Sequence, residues 1–362
     1  MKIAVLTLPV YTNYGGILQA CALCETLSGM GHDVTLINRQ AKFYDTFPDK
    51  VHVFLKNFIR GLKGEKKKIY LDSSIYSRRT ENLKSFFDAR LHLGRKIHTT
   101  AGLKAELENG GYDALIIGSD QVWRPVYAPV LEEFFGAVCP ENMPLVSYAA
   151  SFGVDEWEYS PEQTARCGKM LERFRAVSVR ESSGVELCRE YFGIDAVQMP
   201  DPTLLFDSGY YMSMSKGISA QKGIFAYILD KNEKTERAME FLASLSSMDV
   251  HLMRGNEECP AAVGEWIANI ANADFVLTDS FHGCVFSIVF NKPFIAVGNE
   301  KRGQSRFASL LNLFGLEHRM VRSVSEINET LLLEKIDWLS VNVKRNELKN
   351  RALDYLKNAL DK

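Results

Sequence analysis

A cluster of polar residues interrupts one of the most apolar stretches of the chain, FVLTDSFHGCVFSIVFNKPFIAV, which runs from Phe275 to Val297. Ser280 fits the N-cap of a helix, His282 falls in the first turn of that helix, and Gly283 lets a ligand approach the backbone closely. The unpaired amides of such a helix start favour an anion, and the helix dipole disfavours an imidazolium unless a bound phosphate or carboxylate compensates. Two interpretations of His282 follow. Either an anionic substrate binds beside the ring and tunes it, or the histidine is structural and caps the turn.

Strand and helix patterns alternate along the chain and place this helix start at the end of a strand. The run KIAVLTL precedes the helical stretch GGILQACALCETLSGMG and the strand DVTLIN, a βαβ opening that predicts a parallel sheet. Further strands are predicted at DALIIGSD, PLVSYAAS and AVSVRE. After Asp201-Pro202-Thr203 breaks the pattern, a second series follows at IFAYILD, DVHLM, DFVLTDS and PFIAV.

The two series predict an α/β protein with two doubly wound parallel-sheet domains that face a cleft. We expect an N-terminal domain over residues 1–203, a C-terminal domain over 204–340, and a C-terminal helix over 341–362 that packs back on the N-terminal domain. Ligands of open parallel sheets collect beyond the carboxyl ends of the strands, so the cleft between the domains is the expected site.

Composition limits the classes of function. A chain of 362 residues with 46% hydrophobic and 24% charged residues is typical of a globular protein with room for two cores. The formal net charge of -2 gives no whole-molecule attraction to nucleic acid, so no nucleic-acid partner is expected. Seven cysteines in apolar contexts fit free thiols in a reducing cytoplasm better than a disulfide framework. The N-terminus lacks the features of a signal peptide, and a cytoplasmic location is expected.

Six ordered motifs carry a resemblance to a known family. The segments NYGGILQACAL, IIGSDQVWRP, SYAASFG, VSVRE, DPTLL and TDSFHGCVFSIVFNKPFI closely resemble the bacterial polysaccharide pyruvyl transferases. The resemblance implies a fold like the two-domain glycosyltransferases of the B type. It also implies transfer of an enolpyruvyl unit from phosphoenolpyruvate onto two sugar hydroxyls as a cyclic ketal, with phosphate leaving and no further cofactor. The family's essential histidine matches His282 and its strand-end arginine matches Arg180, whereas Ser280 stands where the family enzymes carry an arginine.

The implied donor is trianionic, and guanidinium groups and helix starts suit it better than a metal. Arg180 directly follows a buried strand and is predicted to be one such guanidinium. Arg302 and Arg306 follow the strand PFIAV and are predicted to replace the arginine missing at Ser280; the alternative for both is surface charge. One histidine can give a proton to the donor methylene and take a later one, so His282 is the predicted acid and base.

The N-terminal domain is predicted to hold the acceptor sugar. Asp120 follows an apolar strand, with Ser119, Gln121 and Trp123 beside it. A carboxylate, an amide and an aromatic ring suit the hydroxyls and the apolar face of a sugar. Asp120 is the predicted second base, with a cap or turn role as the alternative.

The first helix contains two further features. Asn13, Gly15 and Gly16 form a short turn into it, which is predicted to approach either ligand. Cys21 and Cys24 form a C-x-x-C, but they share one helix face with apolar residues, so core packing is favoured over redox or metal chemistry. No second Cys pair or His pair lies at zinc spacing, and no metal site is expected.

The segment from Phe54 to Lys68, FLKNFIRGLKGEKKK, combines an apolar helix face with six Lys and Arg residues. A solvated helix packed on the domain is the usual structure for this pattern. The alternative is a helix resting on an anionic membrane, which suits a lipid-linked acceptor.

Two other classes of function stay open. A nucleotide-sugar-dependent glycosyltransferase has the same fold, and a nucleoside diphosphate would then stabilise the protein. A non-catalytic glycan-binding protein would bind sugar without any dependence on His282.

Overall fold

The computed structural model describes residues 1–62, 71–255, 257–298 and 303–361, and for residues 60–62 the backbone alone. Two five-stranded sheets dominate it, and every strand pair in both is parallel. The predicted α/β class with two parallel-sheet domains is confirmed. None of the helices in these ranges combines the length and hydropathy needed to cross a membrane.

The first sheet has the strand order β2-β1-β3-β4-β5. Ile3 pairs with Val34 on one side and with Ala114 on the other. Near-continuous apolar sequence makes β1 and β3 suitable for burial on both faces. The strands are β1 (Lys2–Leu6), β2 (Asp33–Leu36), β3 (Ala114–Ile117), β4 (Leu145–Ser147) and β5 (Phe174–Ala176). The α-helices of this half are α1 (Tyr14–Gly29), α2 (Phe47–Leu62), α3 (Ser73–Arg79), α4 (Lys84–Arg90), α5 (Thr100–Asn109), α6 (Pro161–Leu171) and α7 (Ser182–Leu187).

A short parallel ladder connects the two sheets along the chain. It pairs β6 (Ser178–Val179) with β7 (Val197–Gln198), and a bridge from Ala150 to Val179 joins it to the loop after β4. Arg180 follows β6, and Asp201 follows β7 as the cap of the 3₁₀ turn Pro202–Leu205. The ladder therefore brings both of these charged residues to the space between the sheets.

The second sheet has the order β12-β11-β10-β8-β9. Its strands are β8 (Ile224–Ile228), β9 (Val250–Arg254), β10 (Phe275–Thr278), β11 (Phe294–Val297) and β12 (Met320–Val321). The remaining α-helices are α8 (Ser208–Met212), α9 (Glu233–Ser246), α10 (Val263–Asn272), α11 (Phe281–Val289), α12 (Gln304–Phe314), α13 (Glu329–Leu333) and α14 (Trp338–Leu360).

Each sheet has one point where the strand order reverses. In the first sheet this point lies between β1 and β3, and in the second it lies between β8 and β10. Loops diverge at such a point and leave a crevice beyond the carboxyl ends of the strands. The turn into α1, the loop after β3 and the turn into α11 all start there, so the fold positions the predicted site residues at two facing crevices.

Aromatic residues join the two halves. Tyr14 stacks on Trp266 with ring centroids 5.4 Å apart, and its hydroxyl donates to the Ala261 carbonyl at 2.8 Å. In α14 the Tyr355 hydroxyl donates to the Ser147 carbonyl of β4 at 2.8 Å, so this helix contacts the first sheet. The helix begins at Trp338, before the expected start at residue 341. The domain boundary at residue 203 stays a prediction.

The cysteines of α1 are core residues. Cys21 and Cys24 are both buried among apolar side chains. Burial raises the pKa of the Cys21 thiol to about 12, so a reactive thiolate is disfavoured at neutral pH. The packing interpretation of the C-x-x-C is confirmed.

Helix α2 differs from the expected helix in its start and in its packing. It begins at Phe47 rather than near Phe54, and its apolar side chains are exposed rather than packed on the domain. Lys66, Lys67 and Lys68 lie outside the described residues.

Candidate active site

His282 lies in the first turn of α11, where the sequence predicts it. The Ser280 hydroxyl accepts a hydrogen bond from the Gly283 amide at 3.3 Å, which confirms Ser280 as the N-cap. The imidazole is 6% exposed. Its Nε2 atom lies 3.4 Å from Asp201 Oδ2 and has no hydrogen-bond partner among the described residues. A buried ring nitrogen in that state is placed for a ligand or a transferred proton.

The start of α1 contacts the same ring from the other half of the molecule. Asn13 caps α1 by accepting a hydrogen bond from the Gly15 amide at 3.1 Å. A Cβ atom at Gly15 would collide with His282 Nδ1, so only glycine fits between the helix and the imidazole. A Cβ atom at Gly16 would lie 3.2 Å from Asp120 Oδ2. Two helix N-termini therefore face each other across His282, and both favour negative charge.

Asp120 lies at the edge of this contact in a strained conformation. Its φ of 78° falls in the left-handed region, which Asp tolerates better than most residues. Its Oδ1 atom accepts a hydrogen bond from the Gln121 amide at 2.9 Å, while Oδ2 faces Gly16. The neighbouring Ser119 is fully buried, and its hydroxyl lies 3.5 Å from Asp201 Oδ2. The structure thus places Asp120 and Ser119 beside the two helix starts. Strained backbone conformations such as that of Asp120 are common at functional sites.

Arg180 makes three hydrogen bonds to buried protein groups. Its guanidinium donates to Glu181 Oε1 at 3.0 Å, to Asp201 Oδ2 at 2.9 Å and to the Ser151 hydroxyl at 3.2 Å. Burial alone lowers the pKa of Arg180, but Glu181, Asp201 and Asp120 outweigh burial and raise it above its usual value. Two carboxylates therefore already bind this guanidinium, and its predicted contact with the donor anion stays a prediction. Arg180 anchors a buried ion network beside His282.

Asp201 is the residue that sequence reasoning missed. Its Oδ1 atom accepts hydrogen bonds from the Thr203 amide at 3.0 Å and the Thr203 hydroxyl at 2.7 Å, which leaves Oδ2 for Arg180 and the edge of His282. Burial by itself raises the pKa of Asp201, but His282, Arg180 and Thr203 together hold it well below the usual range. The Asp-Pro-Thr break was the available signal, since a capping Asp after a strand points to the same crevice.

Arg306 is buried near the same network. It lies in the first turn of α12 with its Cζ atom 5.7 Å from the Phe281 ring centroid, while the Arg180 Cζ atom lies 4.3 Å from the same centroid. Burial, followed by repulsion from Arg180, lowers the pKa of Arg306 to about 10. The interpretation of Arg306 as surface charge is therefore wrong. Arg302 lies outside the described residues.

A small cavity connects the two arginines. It lies between the halves, and its charged lining residues are Arg180, Asp201 and Arg306. Its apolar lining residues are Pro200, Leu204, Phe281, Leu310 and Leu313. Helix α12 is held against the first half here, because the Ser309 hydroxyl accepts a hydrogen bond from the Ser182 amide at 3.2 Å.

Three predicted ligand contacts take other roles. Trp123 is fully buried, donates its indole N–H to the Phe134 carbonyl at 3.0 Å and stacks on Phe135, so it cannot present a ring to a sugar. Gly283 faces the strand, where a Cβ atom would collide with Thr278, so packing rather than a ligand requires this glycine. The Gln121 side chain accepts a hydrogen bond from Arg124 at 3.3 Å and is only partly available to a ligand.

The model of the family described as polysaccharide pyruvyl transferase matches residues 13–301, a span that includes both helix starts, Arg180, Asp201 and His282. The chain belongs to the polysaccharide pyruvyl transferase family. No curated protein matches the chain significantly.

Solved structures similar to this pyruvyl transferase family member share its fold at low sequence identity. UDP-N-acetylglucosamine 2-epimerase from Rickettsia bellii has a TM-score of 0.54 and 9% identity, covering 100% of this chain and 97% of its own. The S. aureus MnaA-UDP co-structure has a TM-score of 0.52 and 12% identity over 100% of this chain and 97% of its own. The UDP-GlcNAc 2-epimerase of Methanocaldococcus jannaschii, in complex with UDP-GlcNAc and UDP, has a TM-score of 0.51 and 10% identity over 99% and 100%. The predicted B-type glycosyltransferase architecture is confirmed, and at these identities the similarity concerns the fold alone.

Proposed function

We propose that the protein transfers the pyruvyl group of phosphoenolpyruvate to two hydroxyls of one sugar, forming a cyclic ketal and releasing phosphate. Membership in the pyruvyl transferase family supports the group transferred. The observation that carries the proposal is His282, a buried imidazole whose Nε2 atom has no hydrogen-bond partner among the described residues, set between two helix N-termini. That arrangement combines a proton carrier with a preference for anions.

The proton balance of the reaction needs one acid and two deprotonations. A proton added to the donor methylene makes a methyl group and leaves an oxocarbenium-like carbon, which the first sugar hydroxyl attacks. Loss of phosphate regenerates such a centre, and the second hydroxyl closes the ketal. Of the two hydroxyl protons, one replaces the proton spent on the methylene and the other leaves with phosphate. His282 is the proposed donor of the first proton and acceptor of a later one.

Charged neighbours support this role of His282. The Asp201 Oδ2 atom lies 3.4 Å from His282 Nε2, so a carboxylate borders the ring edge that is proposed to carry the proton. The donor anion is proposed to lie against the starts of α1 and α11, where the helix dipoles attract it. Arg306, whose charged form is disfavoured by burial and by Arg180, would gain stability from an anion and is proposed to replace the arginine absent at Ser280.

The acceptor is proposed to be a sugar of a cell-surface polysaccharide, such as an exopolysaccharide or capsule, carried on a lipid-linked precursor. Asp120 is the proposed second base, because its Oδ2 atom faces the start of α1 beside the donor position. Phosphoenolpyruvate is a cytoplasmic metabolite, so we place the reaction in the cytoplasm, at the inner face of the membrane where such precursors are assembled.

The test is phosphate release from phosphoenolpyruvate against a panel of glycosides, with the glycoside products analysed by mass spectrometry. Acceptor-dependent release and a ketal product are expected. The neighbours that hold UDP make a nucleotide-sugar glycosyltransferase the second candidate, so each assay is paired with thermal melting in phosphoenolpyruvate and in UDP. Stabilisation by UDP alone, without phosphate release, would replace the proposal with that candidate. Sugar binding that needs neither His282 nor a donor would identify a glycan-binding protein.

A further inference from the structure

Helix α2 exposes an apolar face. Phe47, Phe54 and Phe58 are 79%, 68% and 58% exposed, although side chains of this type are usually buried. Leu55 and Ile59 are each 52% exposed, and Val51 is 43% exposed. Spacings of three, four and seven residues place these side chains on one side of the helix. The result is a contiguous apolar stripe, which on a folded protein marks an interaction site.

Contacts with the segment that precedes it tie the first half of α2 to the rest of the protein. Asp49 accepts hydrogen bonds from the Lys42 ammonium and the Thr46 hydroxyl, both at 2.7 Å, and Tyr44 stacks on His52. A helix of 16 residues is marginal in water unless its apolar face is covered. An apolar stripe left exposed in this way suits a partner outside the fold.

We propose that α2 docks on an anionic lipid bilayer. Charge complementarity decides for this partner. Helix α2, residues 47–62, contains three Lys and Arg residues against one carboxylate, a net charge of +2 in a chain whose total is -2. Lys50 and Lys56, both exposed, flank the apolar stripe. An amphipathic helix with such a composition lies in the membrane interface, with its apolar face in the acyl boundary and its cations at anionic headgroups.

Docking through α2 places the active-site cleft near the membrane. Strand β2, which leads to α2, ends at the same edge of the sheet as β1 and β3, because all three are parallel. Phe43 lies against Tyr76 with ring centroids 5.4 Å apart, and Tyr76 in turn stacks on Tyr11 at 5.4 Å. Tyr11 immediately precedes the turn that begins α1. Given the proposed function, this position lets the cleft receive a lipid-linked sugar without extracting it from the bilayer.

The test is flotation of the full-length protein with vesicles of phosphatidylcholine alone and of phosphatidylcholine containing phosphatidylglycerol. Binding is expected only to the anionic vesicles, and it should weaken as salt is raised. Phe54→Ser with Phe58→Ser should reduce binding about tenfold or more, because both rings lose their transfer from water. The matched control is Leu333→Ser with Leu339→Ser, which changes two equally exposed apolar residues, 73% and 77%, outside α2 and should bind like wild type. Lys50→Glu with Lys56→Glu should lower binding to anionic vesicles by a similar factor.

Three results would overturn the proposal: no flotation of the wild type with anionic vesicles, equal flotation of the Phe54→Ser/Phe58→Ser protein, or equal loss in the control pair. Light scattering on the same samples measures the oligomeric state, which tests the alternative that a second copy of this chain binds to α2. A dimer that the Phe54→Ser/Phe58→Ser changes dissolve, without vesicle binding, would assign the face to a second copy of this chain. Because flotation uses neither donor nor sugar, its failure would leave the proposed reaction untouched, and phosphate release on a soluble glycoside should be equal in all four proteins.

Discussion

The starts of α1 and α11 are built alike and yet contribute differently. Both follow a strand at a point where strand order reverses, both are capped by a polar side chain, Asn13 or Ser280, and both have glycine in the first turn. The α11 start carries an imidazole. The α1 start carries none, and its Gly15 provides the space that the imidazole fills.

This difference shows how two halves of similar fold form one site. The second half contributes the imidazole, and the first half contributes steric fit, amides and the Asp120 carboxylate. Neither start is sufficient alone, because the contact between Gly15 and His282 exists only when the halves meet. Arg180 and Asp201, which follow the strands of the connecting ladder, form an ion pair beside that contact.

Removal of the ring from the α11 start should have the largest effect. His282→Ala is expected to lower turnover by about 10² to 10⁴, because the acid and base of the reaction is lost. His282→Asn is the sharper comparison, since Asn keeps hydrogen bonding but cannot carry a proton near neutral pH. Turnover and melting temperature should be measured on the same preparation. A merely structural histidine predicts a loss of roughly 1 kcal/mol in stability with turnover intact.

Removal of the Arg180 guanidinium should mainly lower the free energy of unfolding. Arg180→Ala leaves Glu181 and Asp201 buried without their cation, and such a change costs about 3–5 kcal/mol. Arg189→Ala is the matched control, because its partner Glu186 is exposed and exposed pairs contribute about 0–1 kcal/mol. Urea unfolding measures both. An Arg180→Ala protein that unfolds like wild type but loses phosphoenolpyruvate use would contradict this structural role and support the predicted direct role of Arg180 in donor binding.

A methyl group at the α1 start should disturb the contact between the halves. Gly15→Ala pushes a Cβ atom into the imidazole, and a displacement of about 1 Å at a catalytic group lowers turnover by about 10². Gly29→Ala, in the last turn of the same helix with open space around it, should leave turnover unchanged and stabilise by about 0.4–1 kcal/mol. Equal kinetics for the two alanine proteins would show that the glycine fit is not needed.

The pH dependence of stability should show how much the Asp201 carboxylate contributes to it. Its pKa in the folded protein lies below the usual value of about 3.9, so its contribution is present above pH 4 and is lost as pH falls below that value. Asp201→Asn should therefore be less stable than wild type by roughly 1–3 kcal/mol at neutral pH, with the difference shrinking in acid. Denaturant unfolding of both proteins between neutral and strongly acidic pH is the measurement. A constant difference across that range would mean that the carboxylate charge does not matter.

Local patterns in the sequence were enough to predict the main strands and the cap of α11. The apolar runs that predict β1, β3 and β10 form strands, and Ser280 caps α11 because a short polar side chain before an apolar helix satisfies a free amide. Cys21 and Cys24 were assigned to the core from their helix face alone. Each of these features depends on neighbours within a few residues.

Features that depend on distant partners could not be predicted in this way. Trp123 was expected in the cleft because it follows a strand, but the rings that bury it come from later in the chain. Asp201 was visible as a break in the pattern, yet only the fold shows that it meets His282 and Arg180. The apolar face of α2 was visible as well, whereas its exposure depends on where the rest of the chain packs.

The central claim is that a solvent-derived proton, delivered through His282, converts the methylene of phosphoenolpyruvate into the methyl group of a sugar ketal. The most direct test is to run the wild-type and His282→Asn reactions in D₂O with an accepted glycoside and to examine the product by NMR. We predict a singly deuterated methyl group on a cyclic ketal from the wild type, and a rate about 10² to 10⁴ lower from the variant. A ketal methyl without deuterium, or the same product at the same rate from His282→Asn, would contradict this claim.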